Sequence, residues 1–299
     1  MKLFLTWNAE PEDPHFWKLF NVDGIVVPLR SILATSKWKL NRLLSVGFKR
    51  FYGYRGFLLV DSLLKSLRRA GGGDDLRTQF DVLYMQYLLG ADVLVHKDLP
   101  LVNVNLRSRE KFLRKNVLNA EFALKVGDRL GKKVMLVVHG WDVDTYVAVA
   151  DHYANLGAEY IGIGSLLAFK DREVDLAKII EAVRGVVGRR VHIHVFGVNP
   201  LRLSSIACFA DSADVSTPLF AAGKKEVIMP GEDGVRRVKL YTIEGFEALK
   251  NRLDETSDGL ERELLSRILD AKTPKGRNQA IMIYNYYVFT SYYRRLNRC

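Results

Sequence analysis

Eight short apolar runs recur along the chain with helical segments between them: KLFLTW (2–7), GIVVPL (24–29), GFLLVD (56–61), ADVLVH (91–96), KVMLVVHG (133–140), EYIGIG (159–164), HIHVFG (192–197) and ADVST (213–217). Most are continuous in apolar residues rather than alternating, which is the pattern of strands covered on both faces and therefore of a parallel sheet. Residues 77–89 and 141–157 place apolar side chains at three- and four-residue spacing, and 173–187 puts Val174, Ala177, Ile180 and Val183 on one face, as amphipathic helices do. Gly90, Gly131, Gly157 and Gly188 stand just before strands, where a left-handed residue closes a helix.

This repeat of strand, helix, glycine and strand predicts an α/β fold closed into a (β/α)8 TIM barrel, with a doubly wound open sheet as the runner-up. After residue 218 the pattern changes to a β-hairpin with a Pro-Gly turn, followed by helices at 243–252, 259–270 and 277–297. No linker demands a second domain. A single domain over 1–299 is expected, with the barrel at about 1–220 and the hairpin and C-terminal helices at about 221–299.

Composition narrows the classes. Of the 299 residues, 48% are hydrophobic, which is too many for a disordered chain. Charges interrupt every apolar stretch before the roughly 20 residues needed to span a bilayer, and the N-terminus lacks the apolar region of a signal peptide. No membrane partner and a cytoplasmic location are expected. Cys208 and Cys299 are the only cysteines, too few for a disulfide framework or a cysteine-rich zinc site. With 45 Lys+Arg against 34 Asp+Glu the net charge is +11, which favours polyanionic partners.

In a barrel of this kind the reactive groups sit at the C-terminal ends of the strands. Asp61 ends the third run, Asp98 follows the fourth, His139-Gly140 end the fifth, Gly164 and Ser165 the sixth, Phe196-Gly197 the seventh, and Asp214 lies in the eighth. Three carboxylates thus converge on one mouth. His192 and His194 alternate along one strand, yet no set of His and acids has the spacing of a metal site, so no metal is expected. Two basic clusters with phosphate-binding character flank the early strands. One holds Lys37, Lys39, Arg42, Lys49, Arg50 and Arg55 among Phe48, Phe51, Tyr52 and Tyr54; the other holds Arg107, Arg109, Arg114 and Lys115.

The order of these strand ends resembles that of the tRNA-guanine transglycosylase superfamily, over roughly residues 56–220. Leu59-Val60-Asp61-Ser62 resembles the start of its Asp-Ser-Gly-Gly-Phe motif, and QFDVLYMQYLLGADVLVHKDLP (79–100) is similar to its helix, Leu-Gly-Ala-Asp strand and following Asp. His139-Gly140 stands where the family has Gln-Gly, and Gly164-Ser165-Leu166 resembles its Gly-Gly-Leu loop. His194 to Pro200 resembles His-Leu-Met-Gly-Val-Gly-x-Pro, and Ala210 to Val215 its strand-eight segment with two aspartates three apart. Leu63-Leu64-Lys65 replaces Gly-Gly-Phe, Tyr284-Asn285 replaces His-Asn, and the zinc motif is missing. The compact zinc-free pattern is closest to the branch that inserts 7-deazaguanine derivatives into DNA.

The resemblance implies exchange of guanine for a 7-deazaguanine derivative in nucleic acid, with DNA favoured over tRNA, and no cofactor. Asp214 would be the nucleophile, with Asp211 as fallback, and Asp61 the acid/base. Asp98 and His139 would read the base, Gly164 and Ser165 donate backbone N–H groups, and Phe196 beside Gly197 provide a stacking platform. Lys49, Arg50, Arg55, Arg107 and Arg109 would hold the nucleic acid. The implied partners are DNA or tRNA and the free base, and the resemblance leaves a homo-oligomer open. The alternatives are a catalytically inactive homologue that binds nucleic acid or a partner subunit, and an unrelated barrel enzyme acting on a small phosphorylated substrate.

Overall fold

The computed structural model describes residues 1–10, 13–62, 76–101, 104–166, 176–231 and 234–296. They form two compact units, one of residues 1–9 and 23–215 and the other of 10–22 and 216–299.

The first unit is a (β/α)8 barrel. Its strands are β1 (Lys2–Thr6), β2 (Gly24–Pro28), β3 (Phe57–Asp61), β4 (Leu94–Val95), β5 (Val134–Val138), β6 (Tyr160–Ile163), β7 (His192–Val195) and β8 (Ser212–Val215). All pairings among them are parallel, in the order β3-β2-β1-β8-β7-β6-β5-β4, and a bridge between Leu59 and Val93 joins the two ends of this row. On the outside run α1 (Leu29–Leu33), α2 (Lys37–Val46), α3 (Phe48–Tyr52), α4 (Leu76–Leu88), α5 (Leu106–Leu130), α6 (Val143–Asn155), α7 (Leu176–Val187) and α8 (Leu203–Ile206). The expected helix stops are present: Gly131 and Gly157 follow α5 and α6 with φ of 62° and 87°.

Residues aligned in parallel strands point to the same face, so register identifies the lumen. Phe4, Val26, Leu59, Val93, Val95, Met135 and Val137 fill it, with Phe57, Tyr160 and Phe196 packed against them. Gly24 stands opposite Phe4 and Gly162 opposite Phe196, and a Cβ on either glycine would lie 2.6 Å and 2.5 Å from those rings. Small residues facing large ones let the interior close without voids. By the same register Phe4 aligns with Asp214, Gly162 with His194, and His194 with Ser212, so these polar groups also point inward.

Strand four, expected over 91–96, is only two residues long with one bridge before it. Side-chain amides replace the missing ladder. Gln86 bonds both the N–H and the C=O of Val95, at 2.7 Å and 2.9 Å. Gln79 accepts from Lys97 N–H at 2.9 Å, Asn119 donates to Lys97 C=O, and Asn116 bonds both backbone groups of Leu99. Buried backbone groups need partners, and four amides carried by α4 and α5 supply them where β3 and β4 part.

The second unit holds α9 (Thr217–Gly223), an antiparallel pair β9 (Glu226–Gly231) and β10 (Gly234–Lys239), α10 (Ile243–Glu255), α11 (Gly259–Leu269) and α12 (Pro274–Leu296). Pro230-Gly231, read as the hairpin turn, instead ends β9. Asn285 on α12 accepts from Ile228 N–H at 2.7 Å and donates to Glu226 C=O at 2.9 Å, holding the hairpin to the helix. Tyr284 donates to Glu261, which also accepts from both Arg252 and Thr256. Tyr284 and Asn285 are therefore structural residues of this unit. Among the described residues no helix is long and apolar enough to cross a membrane.

Candidate active site

Asp214 is buried in the lumen near the end of β8, at 6% exposure. Its Oδ1 accepts from Gly197 N–H at 2.9 Å and its Oδ2 from the Thr6 hydroxyl at 3.3 Å. Gly197 holds φ at 62°, a left-handed turn that follows β7 and leaves its N–H on the carboxylate. His194 Nε2 lies 3.4 Å from the same Oδ1. A carboxylate this buried needs such donors to remain charged. Asp211, the fallback, instead pairs with Arg184 and accepts from Ile193 N–H at 2.7 Å, just before β8 begins. Its contacts anchor the strand.

Asp61 ends β3, half-buried, two residues beyond the lumen-filling Leu59 and aligned with Pro28. Asp61 and Asp214 thus both face inward at the C-terminal ends of their strands. The adjoining Leu63-Leu64-Lys65 lies outside the described residues.

Asp98 follows β4, fixed on either side by the amide bonds to Lys97 and Leu99. Its Oδ1 accepts from Ser62 at 3.2 Å and its Oδ2 lies 2.7 Å from His139 Nε2. Burial alone would push the Asp98 carboxyl up, but the hydrogen bond and charge of His139, with a smaller contribution from His96, hold it below the usual carboxylate range. With Nε2 donating to the ionised Asp98, the other ring nitrogen, Nδ1, lies 2.8 Å from the Ser165 hydroxyl. Ser165 Oγ in turn accepts from Leu101 N–H at 2.9 Å. One chain of bonds therefore joins the ends of β4, β5 and β6.

The geometry at Gly164 makes this chain possible. A Cβ there would lie 2.6 Å from His139 Cε1, so the ring edge occupies the space a side chain would need, and the glycine C=O is held by Tyr146 at 2.7 Å. Ser165 itself sits at φ 60°, a conformation that is uncommon for a residue with a side chain. Phe196 packs edge-on against His194, ring centroids 4.5 Å apart, and is half-buried. It lines the lumen, with one side partly open. His96 faces away from this chain. Burial pushes it down to about 4, its Nδ1 accepts from Val137 N–H at 2.9 Å, and its buried Nε2 has no hydrogen-bond partner among the described residues.

The sequence-predicted residues thus fall into two groups. Asp214, Gly197 and Phe196 share one part of the lumen, while Asp98, His139, Gly164 and Ser165 form another. Four contributors escaped the sequence reading: Thr6, Ser62, His194 as a neighbour of Asp214, and the amides that fix Asp98. Thr6 and Ser62 each occupy the last or next position of a strand, a placement that strand-end reasoning covers. Among the described residues no group of three or more His, Cys, Asp or Glu is arranged to hold a metal ion.

The proposed nucleic-acid contacts are unequal. Arg50, Arg55 and Arg107 are exposed. Lys49 is ion-paired with Asp92 at 2.7 Å and Arg109 donates to Val104 C=O at 3.0 Å, so both have structural work.

No protein-family model matches the chain, and no curated protein matches it.

Proposed function

We propose that the protein exchanges a nucleobase in nucleic acid, replacing guanine by a 7-deazaguanine derivative, with DNA favoured over tRNA. The observation that carries this reading is the placement of Asp214: a buried carboxylate inside a barrel, at the strand ends, cradled by Gly197 N–H and the Thr6 hydroxyl, with Asp61 facing the same mouth. Resemblance in the order of the strand-end residues supplies the substrate class.

In this reading Asp214 attacks C1′ of the target nucleotide as the C1′–N9 bond breaks, and Asp61 gives a proton to the departing base. The incoming base loses its N9 proton to Asp61, its nitrogen attacks C1′, and the ester to Asp214 is released. Atoms balance without ATP or a redox partner. The two-carboxylate logic is that of retaining glycoside hydrolysis. A base inside a duplex has to be flipped out to reach this site, at a cost of a few kcal/mol in lost stacking.

Surface charge supports a polyanionic partner. Between residues 37 and 55 there are six Lys or Arg and no acid. Next to this segment α4 carries Phe80, Tyr84 and Tyr87 on an exposed face, with ring centroids 5.7 Å and 6.2 Å apart and planes within 18° of parallel. Cations beside open aromatic rings suit a strand whose bases stack.

A second reading, a catalytically inactive homologue that binds nucleic acid, is favoured by one observation: both ring nitrogens of His139 are engaged, by Asp98 and Ser165. Incorporation of labelled guanine and deazaguanine bases into duplex DNA, single-stranded DNA and tRNA, with Asp214→Asn as control, separates the two. Asp214-dependent label supports exchange and identifies the nucleic acid; binding without label supports the inactive homologue.

A further inference from the structure

Besides Gly197 and Thr6, Asp214 has a third neighbour, and behind it stands a line of polar groups inside the barrel. His194 Nε2 lies 3.4 Å from Asp214 Oδ1, at ion-pair distance, and makes no hydrogen bond among the described residues; His194 is 0% exposed. Its Nδ1 lies 2.8 Å from Ser212 Oγ, which is also fully buried. On the far side of the same oxygen, His192 Nε2 lies at 2.8 Å. His192 opens β7, at the opposite end of the barrel from the mouth, and is half-buried.

The directions of these bonds are constrained. A serine hydroxyl has one proton and two lone pairs, so at most one of two histidines at hydrogen-bond distance accepts from it. The carboxylate favours a proton on His194 Nε2, which leaves Nδ1 of the neutral ring as the acceptor. Ser212 then donates to His194, and His192 donates through Nε2 to Ser212. The two hydrogen bonds then run in one direction, and His194 Nε2 ends 3.4 Å from Asp214.

We propose that His192, Ser212 and His194 form a proton relay through the barrel lumen that sets the charge of Asp214 from the end opposite the substrate mouth. A proton arriving at His192 Nδ1 moves the Nε2 proton to Ser212 Oγ, the Ser212 proton to His194 Nδ1, and the His194 Nε2 proton to Asp214. One proton enters and one reaches the carboxylate, with no change of oxidation state. Reversal restores the anion. His194 is thus a positioning residue, and its use in catalysis rests on the proposed role of Asp214, whereas the relay as a physical connection does not.

The surroundings suit this task. His194 has rings at its sides, Phe4 at 5.5 Å and Phe196 at 4.5 Å between centroids, which keeps its surroundings there apolar. His192 lies against the Tyr160 ring and feels Asp211, Lys2 and Arg184. Burial, with His194, Lys2 and Arg184, pushes His192 below the ordinary histidine range despite Asp211, which keeps the entrance neutral near pH 7.

Long-range proton–nitrogen NMR of the full chain with labelled histidine tests the relay directly. His192→Gln and His194→Gln assign the two signals, and His139 and exposed His152 report that the fold is kept. The expected result is a His194 ring with its proton on Nε2, and a His192 titration midpoint that moves by roughly half a pH unit in Asp214→Asn, because interacting sites titrate together. In Ser212→Ala the same Asp214→Asn change should leave the His192 midpoint unmoved. A His194 ring protonated on Nδ1, or a His192 midpoint indifferent to Asp214 with Ser212 present, overturns the relay. Base exchange is a separate readout: no label incorporation with the coupled titration intact removes the base-exchange reading and leaves the relay standing.

Discussion

His139 Nε2 lies 2.7 Å from Asp98 Oδ2, so the two residues expected to read a base are bonded first to each other. A base that displaces this bond has to offer both groups a partner at once. The pairing also couples the site to pH, since the ionised Asp98 is worth more to the fold while His139 donates to it.

Asp98 has a depressed folded pKa, so it binds protons more weakly folded than unfolded, and its contribution is present above the unfolded carboxylate value and lost as pH falls through the folded one. In His139→Ala the main lowering partner is gone, and burial is opposed only by the smaller contributions of His96 and a backbone hydrogen bond. Urea unfolding measured against pH should show the acid loss of stability contributed by Asp98 shrink or reverse relative to the wild type. Removing one member of a buried pair should also cost about 3–5 kcal/mol at neutral pH.

His96 titrates at about 4 in the folded state, below the ordinary histidine value. The unfolded chain takes up this proton more readily, so stability falls as pH drops from about 6.5 toward 4. His96→Asn, which keeps an acceptor for Val137 N–H, should flatten the stability profile in that window. A profile unchanged by the substitution would show that His96 does not carry this limb.

Gln86 closes both backbone groups of Val95. Gln86→Ala leaves two buried polar groups without partners, at about 1–3 kcal/mol each. Denaturant unfolding should report a loss of that size.

Asp214→Asn keeps shape and removes charge. If Asp214 is the nucleophile, trapped covalent adduct with nucleic acid should vanish and base exchange should fall by at least about a thousandfold. Asp61→Asn should slow turnover while leaving adduct detectable by gel mobility or mass. Adduct persisting in Asp214→Asn would move the nucleophile elsewhere.

Gly164→Ala places a methyl group 2.6 Å from His139 Cε1. The ring has to leave its seat, so the Ser165 to Asp98 chain breaks while the barrel remains. Circular dichroism should be unchanged and the His139 NMR signal shifted; an unshifted signal would show that the loop moves instead.

The sequence by itself determined the alternating elements and the mouth. Continuous apolar runs suit a sheet covered on both sides, and the glycines before the strands mark where helices end, so the alternation of strands and helices and the strand-end positions of Asp61, Asp98, His139 and Asp214 follow from local chemistry. The order and closure of the sheet come from the tertiary structure. Short-range pattern cannot say which side chains meet across strands, because register and twist decide that. Only the tertiary structure placed His139 against Asp98 rather than open to a substrate, and gave Asp211 to Arg184. Tertiary contacts also turned the scarce glutamines Gln79 and Gln86 into the closure of the barrel beside β4, and they lined up His192, Ser212 and His194 behind Asp214. Each of these is a contact between residues distant in the chain or on separate strands, whose energy depends on geometry that no single segment contains.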